Sequence, residues 1–289
     1  MRRDLSAIES RLLLRGSLCC LAGLRVGAAK DSSGLGSDLP VLRDARELPY
    51  IPGSSFKGVL RSTIEGLVRG VARPGEWSNT SPPKGLWSCN PLEDPSHPHG
   101  ETRDANEACM SRRWKEVLRE HHAGRTESEL TIDGVLKHSC TVCRLFGNTE
   151  LAGRVLVADL PLSEASDLTN PVEVRDGVAI DRDLLTAADR KKYDFEVVPV
   201  GSCFDLEIVV ENPDDTDRGL LVAGLECTNE GFARLGGFGS RGLGRVCARI
   251  QEATLRTAGE ILSGKPGQTL AWDTLVQHGQ RHLAAQLEG

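Results

Sequence analysis

The feature that most constrains this chain is the stretch at residues 50–61, where a Pro52-Gly53 turn runs directly into an amphipathic helix. Proline presets its own φ and glycine accepts a positive φ, so the pair turns the chain, and Ser54 or Ser55 can then cap the helix. Apolar residues recur at three- and four-residue spacing, which predicts one buried helical face. These residues are Phe56, Val59, Leu60, Ile64, Leu67 and Val68.

The start of this helix also has the chemistry of an anion site. The first N–H groups of a helix have no partner within it, the hydroxyls of Ser54 and Ser55 lie beside them, and Lys57 and Arg61 add two cations. Phosphate is the obvious anion for such a site. The alternative is a capped surface helix with solvated charges, and this stretch alone favours that alternative.

Composition and charge restrict the function without identifying it. The 289 residues suffice for one elaborated domain or two modest ones. A net charge of −6 and a pI near 5.7 are not those of a general nucleic-acid binder, so any such binding needs a local basic strip.

No apolar run approaches the ~18 residues of a membrane span, and the N-terminus does not resemble a signal peptide. We therefore expect a cytoplasmic protein with no membrane partner.

The chain has nine cysteines, an odd number that includes Cys140-x-x-Cys143. In a reducing compartment this indicates free thiols and a metal site rather than disulfides. The C-x-x-C pair suits tetrahedral Zn²⁺, with Cys109 and Cys89 as the further ligands. The alternatives are a redox or buried thiol pair without metal, or a histidine ligand, with His97, His99 and His138 as the substitutes for Cys89. The full set of alternative histidine ligands is His97, His99, His121, His122 and His138. The remaining cysteines are expected to be packing residues: Cys19, Cys20, Cys203, Cys227 and Cys247.

Apolar periodicity predicts an α+β fold with the element order β-α-β-β-α-β. The strands lie at about 10–27, 153–160, 202–211 and 246–250, and the second helix lies at 216–235 with Phe232 inward. This order is the ferredoxin-like plan shared by RNA-recognition domains. Residues 71–147 are a Pro-rich insertion with one predicted helix, at about 104–122, and too little apolar sequence for its own core. A structural zinc ion is the simplest way to hold such an insertion.

A glycine loop follows the second helix, with five glycines in the nine residues 236–244. Glycine lets a backbone approach a ligand closely, so the N–H groups of Gly237, Gly239 and Ser240 are candidates to contact phosphates. Arg241 and Arg245 add charge-assisted donors. The loop fits neither nucleotide-binding glycine motif, since a strand follows it and no Lys-Ser or Lys-Thr does. A flexible connection is the alternative, and close contact with an extended polymer is favoured over it.

One acid in a long polar loop is the last candidate. Residues 27–49 form this loop, and Asp38 lies in its Gly/Ser-rich part, flanked by Asp31 and Asp44. Loops of this length are commonly functional or disordered. A single Asp in such a loop is nevertheless most often a turn residue, so these observations alone do not make Asp38 catalytic.

Together these segments resemble the RAMP superfamily of CRISPR systems, and most closely the backbone subunit of type III effector complexes. The matching segments occur in the order of that family at 24–27, 36–38, 41–44, 48–61, 140–147 and 236–245. The helix-opening stretch and the glycine loop are together highly specific. The cysteine arrangement looks closer to the zinc-containing branch of the family.

The resemblance implies a domain plan and a function. A ferredoxin-like, RRM-like palm would comprise residues 1–70, 148–170 and 198–254, with a zinc-binding insertion at 71–147, a β-hairpin thumb at 171–197 and a helical tail at 255–289. Copies or paralogous subunits would stack along a guide CRISPR RNA. Asp38 matches the acid that, with Mg²⁺, cuts complementary target RNA at regular intervals through attack by the RNA's own 2′-hydroxyl.

Two other functions remain open at this point. The chain can be a purely architectural guide-RNA binder without nuclease activity. It can also be a guide-processing nuclease of the same superfamily, which would need a general acid/base histidine near the RNA. The seven histidines lie mostly in the insertion and the C-terminal tail, which counts against the second possibility.

Overall fold

A computed structural model describes residues 7–27, 37–71, 85–89, 136, 139–148, 151–164, 166, 170–180 and 187–288. In chain order the elements are β1 (Ser10–Cys20), β2 (Tyr50–Ile51), α1 (Gly53–Val71), α2 (Thr141–Phe146), β3 (Val155–Val157), β4 (Leu160–Pro161), β5 (Glu173–Ile180), β6 (Ala187–Val197), β7 (Cys203–Glu211), α3 (Asp215–Asn229), β8 (Val246–Thr257), α4 (Ala258–Leu262), β9 (Gln268–Thr269) and α5 (Trp272–Glu288). The helix predicted at 104–122 lies outside the described residues.

The centre of the mixed α/β fold is a five-stranded antiparallel sheet with the order β3-β7-β1-β8-β9. Side chains alternate between the two faces of each strand, and one face of β1, β7 and β8 is buried in the core. Leu12, Leu14 and Leu18 of β1 and Phe204 of β7 are among its fully covered members. β8 runs to Thr257, so this strand is longer than the predicted 246–250.

Helices α1 and α3 supply the other side of this core. Four of the six apolar residues predicted to face inward from α1 are buried, and Val59 packs against the core, but Leu67 is 44% exposed. In α3, Phe232 was expected to point inward and is instead 78% exposed, because the helix ends at Asn229.

Among the described residues, no helix combines the length and apolar character needed to cross a bilayer.

A buried ion pair joins the start of β3 to the first turn of α3. The guanidinium of Arg154 lies 2.7 Å from the carboxylate of Asp217, and both side chains are almost fully covered. Arg154 also donates to the backbone carbonyl oxygens of Arg144 and Asn212. Removing one member of such a pair leaves an uncompensated buried charge and typically costs about 3–5 kcal/mol.

Strands β5 and β6 form a separate antiparallel hairpin, from Glu173 paired with Val197 to Ile180 paired with Ala187. It joins the rest of the molecule through residues 37–43 and through the loop that follows α3. Two-stranded hairpins are marginally stable alone, so these contacts are needed to hold it in place.

The structure corrects one expectation about the cysteines. Cys19 and Cys203 were expected to be reduced packing residues, but they form a disulfide. The cause is the register of β1 and β7, which places the two residues directly opposite each other with their Cα atoms 4.0 Å apart. Cys20, Cys227 and Cys247 are free thiols, and burial raises the pKa of Cys20 to about 12.

Candidate nucleic-acid interface and metal centre

Asp38 lies against strand β6 of the hairpin, where it exchanges hydrogen bonds with Asp194. The backbone N–H of Asp38 donates to Oδ1 of Asp194, and the hydroxyl of Ser37 donates to the same oxygen at 3.2 Å. In return, the backbone N–H of Asp194 donates to Oδ2 of Asp38 at 3.4 Å. The two acids are 156 positions apart in the chain, so only the folded structure brings them together.

The segment after Asp38 continues along the same strand. Leu39 bridges Phe195, and its carbonyl oxygen accepts from the backbone N–H of Glu196 at 3.0 Å. The carboxylate of Glu196 accepts from the N–H of Val41 at 3.0 Å and from the guanidinium of Arg43 at 2.9 Å. This end of the long polar loop is therefore fixed to the hairpin over several residues.

The other face of β6 contacts the glycine loop. Neighbouring side chains of a strand point to opposite faces, so Tyr193 and Phe195 face away from Asp38 while Asp194 faces it. A guanidinium N–H of Arg241 donates to the hydroxyl of Tyr193 at 2.7 Å. The rings of Phe195 and Phe238 meet edge to face, with centroids 5.2 Å apart. Strand β6 thus contacts both the segment that holds Asp38 and the glycine loop.

Phe238 is the centre of a small cluster of aromatic and cationic groups. The guanidinium carbon of Arg241 lies 4.6 Å from its ring centroid, and that of Arg25 lies 5.2 Å away. Such separations are those of cation–π contacts. The cluster places two permanently charged groups beside an aromatic surface, a combination that suits phosphates and stacked bases.

Two of the five glycines in the loop, Gly236 and Gly244, are required by close backbone contacts within the protein. Gly236 has φ of +76°, and a Cβ there would collide with the carbonyl oxygen of Arg25. The N–H of Gly237 donates to that same oxygen at 2.8 Å, and the N–H of Gly244 donates to Gly23. Ser240 and Arg241 lie in a short exposed 3-10 helix at Gly239–Arg241, and Arg245 is also exposed.

The predicted anion site at the start of α1 is occupied by the protein itself. The N–H of Gly53 donates to the carboxylate of Asp159 at 2.8 Å. Gly53 is required here because a Cβ would collide with the carbonyl oxygens of Val157 and Ala158. Ser54 remains exposed and Ser55 is half-buried, so the Asp159 carboxylate, not a serine hydroxyl, is what meets the first N–H.

The two cations of α1 also have partners inside the protein. The ammonium of Lys57 donates to the carbonyl oxygen of Val155 at 2.8 Å, and burial, reinforced by the charge of Arg61, lowers the pKa of Lys57. Arg61 donates to Glu65 at 2.8 Å and to the carbonyl oxygen of Gly147 at 2.9 Å. A third N–H of Arg61 points at the sulfur of Cys143, 3.6 Å away.

That sulfur belongs to a group of three buried cysteines. The Sγ atoms of Cys89, Cys140 and Cys143 all lie within 4.8 Å of one another, and those of Cys140 and Cys143 are each 3.5 Å from that of Cys89. Tetrahedral zinc with Zn–S bonds of about 2.3 Å needs sulfurs roughly 3.8 Å apart, so this group could bind a metal. Cys109, the other predicted ligand, lies outside the described residues, as do His97, His99 and His138.

The backbone around this cysteine group supports the same chemistry. The N–H of Cys143 donates to the sulfur of Cys140 at 3.2 Å at the start of helix α2, so the backbone fixes the position of this sulfur. The guanidinium of Arg61 offsets part of the charge that several thiolates would bring. The charge of Arg61 therefore serves the cysteine group rather than a bound phosphate.

The open face of the central sheet does not have the features of an RNA-recognition surface. On this face of β1, β7 and β8, all of whose residues are described, no side chain is aromatic. Arg15 instead pairs with Glu207 at 2.8 Å and approaches Glu252 at 3.8 Å. RNA-recognition domains stack bases on aromatic residues of that face, so the aromatic and cationic groups at the hairpin are the better candidates in this chain.

Sequence reasoning missed Asp194, Tyr193 and Phe238. A signal was present in the run Tyr193-Asp194-Phe195, because strand alternation puts two aromatic rings on one face and an acid on the other. Nothing in the spacing of the chain indicates which loops would meet those two faces.

Comparison with known proteins identifies the family. The model of the RAMP superfamily matches residues 18–247, which is most of the chain. The chain belongs to the RAMP superfamily. Among curated relatives, a protein of Methanocaldococcus jannaschii named CRISPR system Cms endoribonuclease Csm3 is 24% identical over 250 residues, covering 83% of this chain and 79% of the relative. This RAMP-superfamily membership agrees with the resemblance carried by the motifs.

Other curated relatives match shorter segments of this chain at higher sequence identity. A protein of the same name from Methanothermobacter thermautotrophicus is 46% identical over 59 residues, which cover 20% of this chain and 24% of the relative. Another from Enterococcus italicus is 41% identical over 66 residues, which cover 21% of this chain and 31% of the relative. These two matches thus span less than a third of each relative.

Proposed function

We propose that this RAMP-superfamily chain is a guide-RNA-binding backbone subunit of a type III CRISPR effector complex that cleaves complementary target RNA. The observation that carries the proposal is the position of Asp38, beside a hairpin that also contacts the arginine-bearing glycine loop. The names of the relatives, which are endoribonucleases of CRISPR systems, support it. The neighbouring copies or paralogous subunits, the guide CRISPR RNA and the target RNA are its proposed partners.

The domain plan belongs to the same proposal. The strand order β3-β7-β1-β8, with α1 and α3 as its two crossover helices, supports a ferredoxin-like palm at 1–70, 148–170 and 198–254. The β5–β6 hairpin is the proposed thumb at 171–197. Cys89, Cys140 and Cys143, with Cys109, are the proposed ligands of a zinc ion that holds the insertion at 71–147.

We assign guide binding mainly to the exposed arginines of the glycine loop. Arg241 and Arg245, with the backbone near Gly239 and Ser240, are the groups proposed to contact phosphates. Contacts of this kind position RNA without reading its sequence. Ser54, Ser55 and Gly237 are weaker candidates, and the proposal does not depend on Lys57 or Arg61, because both cations already have partners within the protein.

The proposed reaction is an in-line attack of a 2′-oxygen on the adjacent phosphorus. The new 2′-O–P bond forms as the bond to the 5′-oxygen breaks, which leaves a 2′,3′-cyclic phosphate and a 5′-hydroxyl. A carboxylate is a hard oxygen ligand, and Mg²⁺ is commonly held by one or two carboxylates together with substrate phosphates. Asp38 fits that role, and the bound ion would stabilise charge on the scissile phosphate. The hairpin would hold the neighbouring base aside.

The test uses the assembled complex with complementary RNA and Mg²⁺. Asp38→Ala should lower the cleavage rate by at least about 100-fold, as expected when a group acting in the transition state is removed, with guide and target binding nearly unchanged. Asp44→Asn is the matched control, because Asp44 lies in the same segment and its carboxylate accepts from the backbone N–H groups of Arg46 and Leu48 in a local turn. Cleavage at the wild-type rate by Asp38→Ala would remove the nuclease function and leave an architectural RNA-binding subunit.

A further inference from the structure

The carboxylate of Asp194 is placed where it can hold Asp38 in position. Its Oδ1 atom accepts two hydrogen bonds, from the backbone N–H of Asp38 and from the hydroxyl of Ser37. Its own backbone N–H donates to the Asp38 carboxylate. We infer that Asp194 is the positioning residue that fixes Asp38 for cleavage, an inference that rests on the proposed function of this site.

The hydrogen bonds between these residues fix the geometry of Asp38 from two sides. The donors directed at the Asp194 carboxylate come from the backbone of Asp38 and from the neighbouring Ser37, so they define where the Asp38 backbone lies. The return hydrogen bond, from the backbone N–H of Asp194, restrains the Asp38 carboxylate itself.

The contact between Asp194 and Asp38 also links Asp38, through strand β6, to the glycine loop. Asp194 lies between Tyr193 and Phe195, whose side chains contact Arg241 and Phe238 on the opposite face. Asp38 is thereby attached directly to the hairpin and does not depend on its own loop alone for its position. In the proposed function, where the hairpin holds a base aside, this attachment couples the site of cleavage to the site of base displacement.

Substitution of Asp194 by asparagine distinguishes a positioning role of Asp194 from a metal-binding role. The amide oxygen of Asn can accept the same two hydrogen bonds, but the amide carries no negative charge. Asp194→Asn should therefore cleave within a few-fold of the wild-type rate and need the same Mg²⁺ concentration for half-maximal rate. Asp194→Ala removes the acceptor, and a misplacement on the order of 1 Å lowers a rate by about 100-fold. Target affinity should be unchanged in both variants.

Asp176→Ala is the matched control for these experiments. Asp176 lies directly opposite Asp194 in the hairpin register, and it pairs with Lys192 at 3.1 Å with both side chains about two-thirds exposed, at 67% and 70%. Its removal should leave the cleavage rate unchanged. It reports whether loss of any acid from this hairpin is enough to impair the complex.

Several results would overturn the inference. A wild-type rate for Asp194→Ala would show that Asp38 needs no support from Asp194. A slow Asp194→Asn variant that recovers at higher Mg²⁺ would make Asp194 a metal ligand instead, and weakened target binding would make it a structural residue of the hairpin. If Asp38→Ala is inactive while Asp194→Ala is normal, only this inference fails, whereas an active Asp38→Ala removes the proposed function itself.

Discussion

The guanidinium of Arg241 donates to the hydroxyl of Tyr193 at 2.7 Å and so joins the glycine loop to the hairpin. The same guanidinium lies over the ring of Phe238. Hydrogen bonding and stacking leave the positive charge intact on an exposed residue. Arg241 can therefore contribute in two separable ways, by contacting RNA directly and by holding the hairpin.

Arg241→Ala should weaken guide binding about equally for guides of different sequence. For a single strand, removing one arginine–phosphate interaction should reduce the slope of log K against log salt concentration by about 0.7. The measurement is a salt titration of guide affinity for wild type and variant. A weakening confined to one guide sequence, or an unchanged slope, would contradict direct binding of Arg241 to a phosphate.

Tyr193→Phe is the control that separates the two contributions of Arg241. It removes the hydroxyl that accepts from Arg241 and keeps both the ring and the arginine charge. If Arg241 binds phosphate, Tyr193→Phe should leave the salt slope unchanged. A change of slope equal to that of Arg241→Ala would mean that the arginine acts by holding the hairpin.

The parts of the structure that follow local rules were accessible from the sequence. The apolar repeat of α1 identified Phe56, Leu60 and Ile64, which are buried, because helical periodicity directly determines which residues share a face. The Cys140-x-x-Cys143 pair likewise predicted a cysteine group. Both signals lie within a few residues, so no knowledge of the tertiary structure was needed.

The parts that depend on distant contacts were not accessible. Lys57 and Arg61 were predicted to face a ligand, but other segments of the chain cover that side of α1 and supply the carbonyl oxygens of Val155 and Gly147. Periodicity shows that residues share a face and not what covers it. The pairing of Asp38 with Asp194 has the same origin, since no local pattern connects a loop to a strand so far along the chain.

Gly236→Ala should destabilise the protein even though the position lies in a loop. Its φ of +76° disfavours any side chain, and a Cβ would collide with the carbonyl oxygen of Arg25. Positive φ alone costs alanine about 1–2 kcal/mol, so we expect at least that decrease in the free energy of unfolding. Chemical denaturation of the purified chain measures it.

Gly66→Ala is the opposite control for the same measurement. Gly66 lies within α1, and a Cβ there would meet nothing within 4 Å. Alanine is favoured over glycine in a helix interior by about 1 kcal/mol, so this variant should be more stable than wild type. Equal effects of the two substitutions would contradict the view that the loop glycines are required by the protein's own backbone.

The cysteine group makes the last prediction, which concerns metal content. Purified protein should contain about one zinc ion per chain, because Cys89, Cys140 and Cys143 supply three buried sulfurs with suitable separations. Cys143→Ser should lose the metal and lower the melting temperature, and chelation of the wild-type protein should do the same. Cys227→Ser is the control, since Cys227 is a free, partly exposed thiol that is not part of the group.

The fourth ligand can be found with the same assay. Cys109→Ser should abolish zinc binding if Cys109 completes the site, whereas loss of metal in His97→Ala, His99→Ala or His138→Ala would assign the position to a histidine. Zinc absent from all preparations, with chelator leaving the melting temperature unchanged, would make the three cysteines a thiol cluster without metal. In that case Cys143, which is fully buried, should react more slowly with iodoacetamide than the partly exposed Cys227.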